Sequence, residues 1–138
     1  MSCMLRISGV ALDVQAMFAQ HPLPVDRVWK KGEPRVLKGK FYTDSGASVV
    51  VSDAEFDQFD LQVAEATEFL ELHRGTISNI VAYSGVEEVM LDFGIALFED
   101  SVMMSSYLPP KFIQLAANAE VGVMLSHYAC SDNDDDDD

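Results

Sequence analysis

An α+β fold is predicted for this chain of 138 residues: one domain, with a mostly antiparallel sheet of about five or six strands and two to three helices packed on it. Three observations predict it. Several segments alternate apolar and polar residues with the period of a strand, most strictly at 87–98. Helix-period stretches lie among them, bounded by proline, glycine or a capping side chain. Most joins are short enough for hairpins, and neither an internal repeat nor an interdomain linker interrupts them.

Taken in order, "MLRISG" at 4–9 sets Met4, Leu5 and Ile7 against Arg6 and Ser8 and reads as a strand. "LDVQAMFAQ" follows as a helix, with Asp13 as N-cap and Val14, Met17 and Phe18 on one face. The prolines of "HPLP" end it, because neither can continue a helical backbone. "VDRVW" resumes an extended pattern, and Gly32 and Pro34 of "KKGEP" mark a turn. "RVLKGKFYT" and "ASVVVSD" (47–53) are expected as two more strands by their β-branched and aromatic content, separated by the turn "DSG" at 44–46.

"SDAE" at 52–55 has the spacing of a capping box, so the longest helix is expected to follow it and to end near His73, closed by Arg74 and Gly75. Segment 77–85 suits either a short strand or further helix. Val89, Leu91, Phe93, Ile95 and Leu97 alternate within 87–98, and "VMMSSYLP" is expected to return beside them as a hairpin partner across Glu99 and Asp100. Proline opens a helix through "PPKFIQLAANAE", which carries Phe112, Ile113, Leu115 and Ala116 inward. "VGVMLSHYA" at 121–129 is the final strand.

The length suits a single domain, and a chain of this mass buries about two-thirds of its surface on folding. The domain is expected to span 1–130 and the acidic tail 131–138 to be disordered by self-repulsion. The formal charge is −14; without Asp132 and Asp134 to Asp138, 17 acidic residues face 9 basic ones, leaving −8. A body this acidic repels nucleic acid and favours a basic protein partner. No run of eighteen apolar residues predicts a membrane span, and the start of the chain has no secretory pattern. A cytoplasmic protein with Cys3 and Cys130 as free thiols is the expectation.

Searches for chemistry end early. His21, His73 and His127 have no ligand-like neighbours at metal spacing, and no C-x-x-C exists, so neither metal nor cofactor is expected. The acidic run "DAEFDQFD" starts like a calcium loop, but Gln58 stands where glycine is needed and Ala64 where a bidentate glutamate is needed. There is no G-x-S-x-G elbow and no phosphate loop. Catalysis is accordingly the less favoured expectation.

One local feature stands apart. "DRVWKKGEPRVLKGK" at 26–40 holds the only tryptophan and six of the nine basic residues. Arg27, Lys30, Lys31 and Arg35 with Trp29 could bind a small anion or phosphorylated metabolite, the indole serving as a stacking surface. The simpler expectation is that Trp29 anchors a strand end in the core while lysines line the hairpin beside it.

"VWKKGEP", "LDFGIALF" and "LPPKFIQLAANAEVGVMLSHY" together resemble the bacterial domain-of-unknown-function 4279 family over most of Leu5 to Tyr128. Trp29, Gly32, Glu33 and the run from Pro110 to Tyr128 carry the resemblance most specifically. It implies a small α+β fold and carries over no catalytic residue.

The favoured functional expectation is a non-enzymatic protein-binding domain, an immunity or antitoxin-like inhibitor of a basic toxin. Its candidate surface is acidic: Asp53, Glu55, Asp57, Asp60, Glu65 and Glu68. The alternative is the anion site at Arg27, Trp29, Lys30, Lys31 and Arg35.

Overall fold

The computed structural model describes residues 1–130; the stretch 131–138, expected to be disordered, lies outside the described residues. The chain runs β1 (Cys3–Gly9), α1 (Val14–Gln20), β2 (Val25–Trp29), β3 (Ser45–Ser52), α2 (Phe59–Leu72), α3 (Arg74–Val81), β4 (Glu88–Phe98), α4 (Pro110–Asn118) and β5 (Gly122–Cys130). This is an α+β domain on one five-stranded sheet of order β2-β3-β1-β4-β5. All neighbours are antiparallel except β4 and β5.

Alternation decides which way the sheet faces. Leu5 and Ile7 of β1, Ala47 and Val49 of β3, and Val89, Leu91, Phe93 and Ile95 of β4 are all buried in one cluster. Met17 of α1, Val63 and Leu70 of α2, Ile77 and Ile80 of α3, and Phe112 of α4 join them. All four helices therefore cover the same face, each giving one apolar stripe to a shared core. Phe93 sits at the centre, edge-on to Phe59 at 5.5 Å and to Phe112 at 5.7 Å. Besides four buried serines, Gln62 is the large polar side chain buried here: its Nε2 donates to the carbonyls of Glu55 and Gly94, the second bond fastening α2 to β4.

Local signals explain most of the elements. Asp13 Oδ1 accepts from Ala16 N at 3.1 Å and caps α1 as its spacing predicts. Proline stands at the first turn of α4, where a missing N–H costs nothing. The ambiguous segment 77–85 is helical to Val81, because α3 follows α2 after the single residue His73.

Three expectations are corrected. "RVLKGKFYT" is not a strand: residues 30–44 form an irregular excursion closed by one bridge between Pro34 and Phe41, and β2 pairs instead with β3. Val36, Leu37 and Phe41 are exposed there, so the residues that suggested a strand have no neighbour to pack against. "VMMSSYLP" is not a hairpin partner of β4; that side is taken by β5, parallel to β4 and reached through α4. A parallel partner needs such a crossover. Finally, α2 begins at Phe59 and not beside the expected capping box. The Ser52 hydroxyl accepts from Ala54 N at 3.1 Å and donates to Glu65 at 2.7 Å, so it ends β3 and ties it to α2.

Candidate functional site: an arginine-lined cleft on the open sheet face

The face that the helices leave open carries the opposite set of alternating residues. In one row across three strands, Arg27 of β2 stands opposite Ser48 of β3, and Ser48 opposite Arg6 of β1. In the next row Trp29 stands opposite Gly46, and the indole lies over that glycine where a β-carbon would overlap it. The 30–44 excursion then brings Arg35 and Tyr42 back over the same corner. Arg6, Arg27, Trp29, Arg35, Tyr42 and Asp44 line a cleft of about 280 Å³.

Aromatic rings organise its guanidinium groups. Trp29 and Tyr42 stack with centroids 5.9 Å apart and planes inclined by 23°. Arg27 lies 5.7 Å from the Trp29 ring and donates to the Tyr42 hydroxyl at 2.5 Å, while Arg35 lies 5.5 Å from the Tyr42 ring. Trp29 Nε1 donates to Asp44 at 3.0 Å, which fixes the indole. Among the described residues, neither Arg27 nor Arg35 has a carboxylate partner; Arg6 does, through Nε to Asp92 at 3.2 Å. Ring contacts orient a guanidinium while leaving its in-plane N–H donors free, the arrangement that suits bidentate capture of an oxyanion.

The structure divides the five basic-segment candidates. Arg27, Trp29 and Arg35 come together in the cleft; Lys30 and Lys31 line another, of about 360 Å³, beside the start of α1. Trp29 is half-buried on the open face and outside the core cluster, which corrects the expectation of a core anchor. Arg6, Tyr42 and Asp44 complete the site and were not foreseen. Arg6 did leave a signal, as the charged residue between the inward pair Leu5 and Ile7.

The acidic candidates are spread along α2 and the segment before it. Asp53 pairs with the N-terminal amine at 3.0 Å, and Glu55 and Asp57 are exposed ahead of the helix. Asp60 and Glu68 are exposed on α2, whereas Glu65 is half-buried and accepts from Ser52. Of these six, Asp60 lines a cleft of about 310 Å³ between α2 and Tyr107 and Pro109, whose other walls are Val63, Ala64 and Thr67.

The histidines lie apart. His21 meets Tyr83 edge-on at 6.0 Å, His73 packs on Phe69 at 4.5 Å, and His127 is exposed on β5. Among the described residues no group of three or more histidine, cysteine or acidic side chains is placed to hold a metal ion. No described helix is long and apolar enough to cross a membrane. Cys3 and Cys130 are free. They lie opposite Phe93 and Phe98 on either side of β4, a separation along the strand of roughly 16 Å, too far for a disulfide.

Comparison of the chain with protein-family models, curated proteins and solved structures gives no match.

Proposed function

We propose that the chain is a non-enzymatic binding domain whose open-face cleft takes a small anion, in the first instance a phosphorylated metabolite. The observation that carries this is the convergence of Arg6, Arg27 and Arg35 on one aromatic corner of an otherwise acidic body, two of the three having no carboxylate partner among the described residues. A cluster of arginine charge on so acidic a body focuses a local positive field that suits an anion. A cleft lining without histidine or cysteine supports binding over turnover. Trp29 and Tyr42 are engaged with each other and with arginines, which favours a compact oxyanion over a stacked base.

Trp29 is the only tryptophan, so its fluorescence reports on the cleft alone. Inorganic phosphate and a hexose phosphate should quench it saturably and raise the melting temperature, and Arg27→Ala with Arg35→Ala should abolish both effects. Absence of quenching and of a thermal shift up to about 10 mM ligand, where even weak binding registers, would remove the reading.

A second reading keeps the protein-partner function. The exposed carboxylates of Asp57, Asp60 and Glu68 support capture of a basic partner by an immunity or antitoxin-like inhibitor. Charge reversal at Asp57 and Asp60 should abolish capture of a basic protein encoded beside this chain, while leaving phosphate quenching intact. Membership in the domain-of-unknown-function 4279 family, a bacterial origin and a cytoplasmic location belong with these proposals; the residues from Pro110 to Tyr128 carry the first.

A further inference from the structure

The sheet has two edges, and they are built differently. β2 is five residues long, follows Pro24, carries Asp26 and Arg27, and breaks register between Val25 and Arg27. Short length, charge and a bulge each discourage a further strand from pairing. β5 has none of these protections. It is nine residues long, stays in unbroken register with β4 from Gly122 to Cys130, and contains no Asp, Glu, Lys, Arg or Pro. Val123, Met124 and Tyr128 are exposed along it.

Acidic groups bracket this uncharged strand at both ends. Beside Gly122, the exposed carboxylates of Glu87, Glu88 and Glu120 line a cleft of about 390 Å³ that also has Met90 and Met124 in its wall. At the other end Phe98 lies opposite Cys130, and the chain then turns through exposed Glu99 and Asp100. The two acidic ends are separated by the length of the strand, on the order of 26 Å.

We propose that β5 is a docking edge for an extended segment of a partner protein, one with an uncharged middle and a lysine or arginine at each end. Main-chain hydrogen bonds to the open edge supply affinity, and the terminal charges fix register and direction. The cleft beside Gly122 takes one basic side chain, its methylenes against Met90 and Met124 and its charged head among the glutamates. A second copy of this chain suits the edge poorly. Antiparallel pairing of β5 with itself would bring Glu120 of one copy towards Asp100 of the other, and parallel pairing would superpose like ends. The inference is independent of the arginine cleft, which lies across the sheet.

The test uses the full chain and a fluorescent synthetic peptide with about seven alternating threonines and valines between lysine pairs, long enough to span the edge. The expected result is a saturable rise in anisotropy, slowed amide exchange in β5, and no binding of the same peptide flanked by glutamates. Glu88→Lys with Glu120→Lys should weaken the lysine peptide about tenfold or more without changing the melting temperature, because both side chains are exposed. Equal binding of the two peptides, no binding of either, protection away from β5, or unchanged affinity in the double variant would overturn the proposal. So would a dimer in sedimentation with β5 already protected, which would give the edge to a second copy.

Discussion

Arg6 and Asp92 stand diagonally across the β1–β4 pair, with Arg6 Nε 3.2 Å from Asp92 Oδ2. The other oxygen of Asp92 accepts from Ser126 Oγ at 2.6 Å, so one carboxylate ties β1, β4 and β5 together on the open face. It also places a negative charge beside an arginine that lines the anion cleft. Asp92→Asn should therefore act in two opposed ways. Replacing a charged acceptor by a neutral one should cost about 1–2 kcal/mol of stability, read by urea unfolding. Removing the charge should tighten phosphate binding by roughly 2–5-fold at low salt, read by Trp29 quenching, with the gain fading as salt screens it.

Trp29 owes its position to Gly46. A β-carbon there would overlap both the indole and the main-chain oxygen of Ile7, and the latter belongs to the central strand and cannot move aside. Gly46→Ala should destabilise the fold by about 1–3 kcal/mol, as overpacking at a fixed backbone does. It should also lift the indole off the sheet, seen as a red-shifted emission maximum and loss of phosphate quenching. A variant that stays as stable as the parent but still loses quenching would place the whole effect in the cleft.

What could be read in the sequence follows from the range of the interactions involved. The inward sets Leu5 and Ile7, and Val89, Leu91, Phe93 and Ile95, were legible because strand alternation is local and the covered face imposes it. The cap at Asp13 and the proline of α4 were legible for the same reason. The strand assigned to "RVLKGKFYT" failed because side-chain type stood in for a neighbour that Val36 and Leu37 do not have. The parallel pairing of β5 was hidden because it depends on a crossover through α4, and nothing near Val102 or Met103 announces that β4 will wait for it. The site divides along the same line. Arg27, Trp29 and Arg35 are close in sequence and were found together, whereas Arg6 reaches them only through the strand order β2-β3-β1.

Cys3 provides a prediction in pH. It is buried at the start of β1 opposite Phe93, and burial first, then the charges of Asp92 and Glu65, push its thiol far above the ordinary range. In the unfolded chain the same thiol ionises near the usual value of about 8.5. Below that pH both states hold the proton, and the contribution to stability is complete. Above it the native state holds more protons than the unfolded state, so stability falls as pH rises, by up to about 1.4 kcal/mol per pH unit. Cys3→Ala carries a constant packing cost but lacks this slope, so its unfolding free energy should gain on the parent between neutral pH and pH values about two units above the free thiol's pKa. Parallel curves would mean that Cys3 ionises within the fold. Thiol labelling gives an independent check: the half-buried Cys130 should react in the native protein, and Cys3 only once urea has opened the sheet.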